Sequence, residues 1–131
     1  MTLVDSISAC FSKYITFSGR AQRSEFWWFM LFLTVGQIIS GAADAVMFGD
    51  NIVVLGGVEI SYNTGYFGNI FALATFLPTW AAQVRRLHDT GRSGWWLLFA
   101  LVPLIGVIVL LIWMIRKGNE GTNKYGPDPL V

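Results

Sequence analysis

A cluster of charged side chains is the part of this sequence best suited to chemistry. It is divided between the stretch before the first long apolar run and the segment RRLHDTGRSG. The planar guanidinium of arginine matches the oxygens of a phosphate group, so the cluster suits an anionic ligand, most simply a phospholipid head group. Its members are Arg20, Arg23, Glu25, Arg85, Arg86, His88, Asp89 and Arg92.

Two other interpretations of the cluster stay open. The positive charges can simply hold one side of a membrane, with Glu25 and Asp89 pairing with arginines. Alternatively, His88 beside Asp89 can act as a general base in an enzyme, because histidine titrates near neutral pH. No nucleophile motif accompanies this pair, and one histidine with one cysteine, Cys10, makes neither a metal site nor a disulfide. We therefore expect no enzyme activity, no catalytic residue, no metal and no cofactor.

A second group of polar residues recurs at helical spacing within two apolar runs. Residues of this kind bond across helix–helix interfaces in membranes, and an acid there is a functional candidate. They favour an alternative function, a transporter or channel subunit with a polar path. For Asp44, the one acid of the group, a role at a helix end or in a loop is the simpler expectation, because it lies close to the outer end of its run. The members are Thr34, Gln37, Asp44, Thr75, Thr79 and Gln83.

The composition indicates that a bilayer surrounds these residues. Of 131 residues, 54% are hydrophobic and 13% are charged, whereas soluble domains carry roughly 25% charge. A soluble domain this small buries only about 60–70% of its chain's surface, too little to hide so much apolar area. The net charge is +1, so no strong field attracts nucleic acid.

The apolar runs predict one all-α membrane domain over residues 1–131 with three transmembrane helices. A crossing needs about 20 residues, and the three runs cover about 26–46, 66–84 and 95–115. Because three spans bury little surface, we expect a homo-oligomer.

The remaining segments predict an interfacial helix, a hairpin and a tail. Residues 3–17 have the apolar spacing of an amphipathic helix at the membrane interface or under the bundle. Residues 47–65 form a loop in which Gly56-Gly57 turns a short hairpin. Residues 116–131 are rich in glycine, asparagine and proline, which predicts turns.

The distribution of lysine and arginine predicts a cytoplasmic N-terminus and an external loop at residues 47–65. The basic tail leaves two arrangements open. Three full spans export it, whereas a break at Pro103 and Gly106 makes the third run a re-entrant hairpin that returns the tail to the cytoplasm. A re-entrant backbone must be covered by protein, so we expect three full spans.

Three stretches together resemble a bacterial membrane family, domain of unknown function 805. They are FSGRAQRSEFWWFMLF, RRLHDTGRSGWW and GTNKYGPDP, and the resemblance covers about residues 11–129. It implies a multi-pass helical protein of the bacterial inner (plasma) membrane and implies no activity. The motif positions in this chain are Gly19, Arg20, Arg23, Glu25, Phe26, Trp27, Arg85, Arg86, Leu87, His88, Asp89, Gly91, Arg92, Ser93, Trp95, Asn123, Tyr125, Gly126, Pro127, Asp128 and Pro129.

The function expected from the sequence is that of a non-enzymatic membrane module. Its arginine cluster would face the cytoplasm and bind anionic membrane lipid or a protein partner, without nucleic acid.

Overall fold

A computed structural model describes residues 1–62 and 65–130 of the chain. The helices are α1 (Leu3–Ser12), α2 (Arg23–Phe48), α3 (Tyr66–Asp89) and α4 (Ile105–Ile115), with a 3₁₀ helix at Gly94–Leu101 and strands β1 (Asn51–Leu55) and β2 (Val58–Tyr62). The chain divides into two compact units. Met1–Met30 with Leu77–Val131 is called the terminal unit, and Leu31–Phe76 is called the central unit.

Helix α1 begins at a capping box and is shorter than the sequence predicts. Thr2 Oγ1 accepts a hydrogen bond from the Asp5 backbone N–H, and the Asp5 carboxylate accepts one from the Thr2 N–H, both at 3.2 Å. This pairing satisfies backbone donors that a helix start otherwise leaves open. The helix ends at Ser12, and residues 13–15 form a turn, so the prediction of a helix to residue 17 is wrong at its C-terminal end.

Helix α2 is long and apolar enough to cross a membrane. Its 26 residues extend about 39 Å at 1.5 Å per residue, and only 11% of its most apolar stretch is buried within the protein. Among the described residues, it is the one helix that meets both criteria of length and composition. Its bounds contain the predicted first span.

The central unit contains the predicted hairpin. Strands β1 and β2 pair in antiparallel register, with Val53 opposite Ile60 and Leu55 opposite Val58. Gly56 and Gly57 have φ of 58° and 85°, the left-handed conformations that a tight two-residue turn needs and that glycine adopts at little cost. Among the described residues, the hairpin is the chain's one named sheet.

Helix α3 begins at the predicted residue and continues past the predicted end of the second span. It has 24 residues and contains Pro78, and its last turn extends from Arg85 to Asp89 into the charged segment. This extension places Arg85, Arg86, His88 and Asp89 on a helix rather than in a loop, so the backbone fixes their relative directions.

The predicted continuous span at residues 95–115 is wrong. The 3₁₀ helix ends at Leu101, and α4 begins at Ile105. Leu104 between them has φ of 63°, which a right-handed helix cannot contain. We call the 3₁₀ helix and α4 the two arms of the broken run. They pack against each other: Trp113 makes edge-to-face contacts with Trp96 and Phe99 at centroid distances of 5.5 and 6.1 Å. Helix α4 extends only about 16 Å at 1.5 Å per residue, about half a crossing.

The tail consists of the predicted turns and packs against the charged segments of the terminal unit. Asn123 and Gly126 exchange backbone hydrogen bonds at 3.0 and 3.1 Å, and the Tyr125 ring stacks on His88 at 4.0 Å. Because the tail contacts the last turn of α3 directly, the end of α3 and the tail cannot lie on opposite sides of a membrane. The expectation that a third span exports the tail is therefore wrong, and the broken-run alternative agrees with the structure.

Candidate functional site

The Asp89 carboxylate is the centre of a buried charged network in the terminal unit. Its Oδ1 lies 2.9 Å from Arg20 Nε, and its Oδ2 accepts a hydrogen bond from Arg86 Nη1. The three side chains are at most 4% exposed. A buried carboxylate shared by two arginines gains two charge-assisted hydrogen bonds, and these bonds join the segment before α2 to the end of α3.

A second ion pair extends the network toward α1. Arg85 Nη1 lies 2.6 Å from Glu25 Oε1, and both side chains are buried. Cys10 Sγ lies 3.9 Å from the same Glu25 oxygen, and Ser6 donates a hydrogen bond to the Glu25 carbonyl. Burial, with the nearby Glu25 charge, raises the pKa of Cys10 to about 11, so the thiol is protonated at neutral pH. We call Arg20, Glu25, Arg85, Arg86 and Asp89 the buried network.

The remaining donors of two network arginines bond backbone carbonyls of distant segments. Arg20 Nη1 donates to the Gly121 carbonyl at 2.6 Å, and its Nη2 donates to the Asn119 carbonyl. Arg86 Nε donates to the Met114 carbonyl at 3.1 Å, and its Nη2 donates to the Arg116 carbonyl. Both guanidinium groups are therefore occupied internally, and their visible role is to hold the tail and the end of α4.

His88 makes contacts different from those of a general base. Its Nδ1 lies 3.0 Å from the Gly19 carbonyl oxygen, and its ring is parallel to Tyr125, within 1°. Both carboxylate oxygens of the neighbouring Asp89 accept from arginines, so Asp89 is not aimed at this ring. Burial lowers the pKa of His88 below its ordinary value, a Gly19 hydrogen bond opposes this, and the Lys124 charge adds to it.

Three other arginines form a more accessible group at the end of α4. Arg23 is exposed, and its Nη1 lies 3.4 Å from the Ile115 carbonyl oxygen. Arg92 lies over the Trp113 ring, 4.4 Å from its centroid. Burial lowers the pKa of Arg92, and the neighbouring positive charge of Arg116 lowers it further. Among the described residues, none of the three pairs with a carboxylate. We call Arg23, Arg92 and Arg116 the basic rim.

An apolar groove of about 320 Å³ lies in the same unit. Its walls come from the first turns of α2, the second half of α3 and both arms of the broken run. Gln83 is the amide among otherwise apolar and aromatic lining residues. A mostly apolar cavity of this size with a single polar group is typical of sites that bind small organic ligands.

Most of the chain is similar to bacterial membrane proteins. A family described as "Protein of unknown function (DUF805)" matches residues 14–127. The chain belongs to this family. No solved structure matches it significantly.

Three Escherichia coli K12 proteins are similar to this chain over most of its length. Inner membrane protein YhaI is 44% identical over 118 residues, covering 89% of this chain and 88% of the relative. Inner membrane protein YhaH is 37% identical over 117 residues, covering 89% of each chain. Uncharacterized protein YiiR is 29% identical over 140 residues, covering 86% of this chain and 85% of the relative. The names of the first two relatives support a membrane location.

The three stretches that carry the DUF805 resemblance meet in the buried network. Arg20 comes from the first stretch, and its partner Asp89 comes from the second. Gly121 and Gly126 both belong to the third stretch, and their carbonyl oxygens lie 2.6 and 3.4 Å from Arg20 Nη1. From the sequence we expected the eight residues of the charged cluster to form one binding site. The structure separates them into the five residues of the buried network, the stacked His88, and the more accessible Arg23 and Arg92, which form the basic rim together with Arg116.

The residues of the predicted polar path are divided between the two units. Thr34, Gln37, Asp44 and Thr75 belong to the central unit, whereas Thr79 and Gln83 belong to the terminal unit.

Asp44 has a defined task within the central unit. Its two carboxylate oxygens accept the backbone N–H groups of Phe67 and Gly68 at 2.8 and 2.9 Å. These are donors of the first turn of α3, which an acid stabilises both by hydrogen bonding and through the helix dipole. Asp44 therefore has a role at a helix end, but at the start of α3 rather than at the end of its own helix, and it is buried.

Sequence reasoning missed the residues that hold the site through their backbones. The carbonyls of Met114, Arg116 and Asn119 accept from network arginines, and any residue type supplies a carbonyl. The stacking of Tyr125 and Trp113 could have been predicted in part, since aromatic residues near basic segments often stack on cations or rings. Within residues 1–62 and 65–130, no group of three His, Cys, Asp or Glu side chains is placed to hold a metal ion.

Proposed function

We propose that this chain is a non-enzymatic module of the bacterial inner membrane that binds anionic phospholipid through its basic rim. The observation that carries the proposal is the group of three arginines at the end of α4 without a carboxylate partner among the described residues. Guanidinium groups bond phosphate oxygens in a planar, bidentate geometry. Clusters of this kind beside membrane helices bind acidic head groups.

The membrane arrangement behind this proposal has two crossings and a shallow helical hairpin. In this arrangement α2 crosses the membrane, and α3, which has 24 residues but is less apolar than α2, crosses back. The two arms formed by Gly94–Leu101 and Ile105–Ile115 enter and leave the same leaflet. The N-terminus, the basic rim and the tail then face the cytoplasm, where anionic lipids are abundant. Support comes from the length of α2, the half-length of α4 and the contacts of the tail.

The charge of the buried network adds to that of the basic rim. Three arginines face two carboxylates in the network, so one positive charge stays uncompensated beside the three of the rim. The exposed Lys117 pairs with Glu120 at 2.8 Å and contributes little net charge. The accessible part of the excess therefore lies at Arg23, Arg92 and Arg116, where an anion reduces the mutual repulsion.

The test is native mass spectrometry of the protein extracted with its lipids. A basic residue at a membrane surface contributes about 1 kcal/mol of attraction to anionic lipid. Arg23→Gln/Arg116→Gln should therefore lower the affinity for retained phosphatidylglycerol by roughly 30-fold. The same spectra count subunits, and the expected homo-oligomer stays a prediction until they are recorded.

The matched control removes two positive charges elsewhere on the terminal unit. Lys13 and Lys124 are exposed, and Lys13→Gln/Lys124→Gln should retain phosphatidylglycerol nearly as the wild type does. Equal loss in the two double variants would show that general surface charge, not the rim, attracts the lipid. Unchanged retention in the rim variant would contradict the proposal outright.

A further inference from the structure

The apolar groove ends at the basic rim. Trp27 and Met114 both line the groove, and Trp27 Nε1 donates to the Met114 carbonyl at 3.3 Å. Arg23 precedes Trp27 by one helical turn and lies 3.4 Å from the carbonyl oxygen of Ile115. Arg116 follows directly in the chain. Cationic groups therefore lie where the wall formed by α2 and the wall formed by α4 meet.

The walls of the groove are suited to a hydrocarbon chain. Phe26, Trp80, Leu97 and Leu110 supply aromatic and aliphatic surface, and the cavity volume is about 320 Å³. Gln83 is its single amide, and no charged side chain lines it. Apolar walls favour a ligand segment without polar atoms, because burying an unpaired polar group is costly.

Trp27 and Leu111 connect the groove to the surrounding lipid. Their side chains are 38% and 47% exposed although they line the cavity. An acyl chain can therefore enter from the side, in the plane of the membrane, while a head group remains at the interface. Tryptophan prefers the membrane–water interface, since its ring is apolar and its N–H is polar.

Combining these observations, we propose that the groove and the basic rim form one binding site for a glycerophospholipid with an anionic head group. One acyl chain occupies the groove between α2, α3 and the two arms, and the phosphate lies at Arg23 and Arg116. This inference rests on the proposed lipid-binding function and adds the position of the lipid's acyl chain. In this site the broken run forms part of the wall, since the 3₁₀ helix contributes Leu97 and Ala100 and α4 contributes Leu110.

The experiment uses phosphatidylglycerol with a photoactivatable diazirine near the middle of one acyl chain. The full-length protein in nanodiscs is irradiated, and the crosslinked residues are identified by mass spectrometry. Crosslinks should concentrate on Gln83, Leu97 and Ala100. A phosphatidylcholine carrying the same diazirine should label these residues several-fold less, because its head group has no net negative charge.

Groove-filling variants give the decisive comparison. Ala100 is small and lines the groove, so Ala100→Phe should abolish labelling at Gln83 and Leu97. Leu101 is the next residue, is 79% exposed and lies outside the groove, so Leu101→Phe is the matched control and should keep the labelling. Leu111→Trp is a second way to fill the groove if Ala100→Phe does not fold.

The outcomes separate this inference from the function on which it rests. If phosphatidylglycerol is retained selectively but labels outward residues such as Leu73 and Ile38 as strongly as Ala100, the groove site is wrong and rim binding survives. If the two lipids label and bind equally, both proposals fail. Selective labelling that Ala100→Phe removes and Leu101→Phe preserves supports the site.

Discussion

At the scale of single residues, the Asp89 carboxylate is the shared partner of two arginines that contact several segments of the terminal unit. It balances Arg20 and Arg86, and these two arginines in turn bond carbonyls of the tail and of α4. Taking charges out of water is expensive, so a buried ion pair adds stability only when its partners are complete. The arrangement makes this residue far more critical than an exposed acid with the same number of contacts.

Asp89→Asn should destabilise the protein by about 3–5 kcal/mol, the usual effect of removing one partner from a buried pair. The amide keeps the shape but leaves Arg20 and Arg86 without their counter-charge. The measurement is the apparent Tm in detergent. Glu120→Gln is the control, because its pair with Lys117 is exposed and such pairs contribute little. A Tm for Asp89→Asn equal to that of the control would show that the network is dispensable.

The sequence predicted part of this residue-level pattern. Pairing of Glu25 and Asp89 with arginines was one interpretation of the cluster, and the ion pairs confirm it. Burial of Arg85 and Arg86 was not predicted, since arginine is seldom fully buried. Arg86 is buried with hydrogen bonds to the carbonyls of Met114 and Arg116, which no pattern of residue types reveals, whereas Arg85 is buried in its ion pair with Glu25.

At the scale of secondary structure, the broken run at residues 94–115 differs most from expectation. Hydropathy is continuous across it, so a full span was the natural prediction. Pro103 lies in the break as predicted, whereas Gly106 lies inside α4 and does not interrupt it. The break also includes Leu104, whose positive φ no right-handed helix contains. By contrast, the Gly56-Gly57 turn was predictable, because its conformation follows from two adjacent glycines between β-prone residues.

Gly106→Ala should open the contact between the 3₁₀ helix and α4. A Cβ at this position would lie 1.7 Å from the Phe99 carbonyl oxygen, far inside contact distance, and backbone atoms have little room to move. Overpacking of this kind costs about 1–3 kcal/mol or more. We expect a lower apparent Tm and altered tryptophan emission, since Trp96 and Trp113 lose their edge-to-face contact.

Gly41→Ala is the matched control for this substitution. A Cβ at Gly41 meets no heavy atom within 4 Å, and alanine has a higher helix propensity than glycine. This variant should therefore keep or raise the Tm. If Gly106→Ala behaved like Gly41→Ala in both Tm and emission, the close approach of the two arms would be refuted.

At the scale of the whole molecule, charge is divided sharply along the chain. All nine lysine and arginine residues lie in the terminal unit, and the central unit holds only the acids Asp44, Asp50 and Glu59 among its charged residues. Positive residues near membrane ends stay in the cytoplasm. If the tail were exported, its Arg116, Lys117 and Lys124 would violate this rule. If the tail returns to the cytoplasm, all nine basic residues lie on the same side.

The resulting prediction is that both termini are cytoplasmic. Green fluorescent protein fused after residue 131 should fluoresce, and alkaline phosphatase fused there should be inactive, because each folds on only one side of the inner membrane. Alkaline phosphatase inserted between Gly56 and Gly57 should be active and serves as the control for an external position. Active phosphatase at the C-terminus would mean that the tail crosses the membrane. It would then lie too far from Arg20 and His88 for the contacts that connect the two charged segments, and the basic rim would lose Arg116.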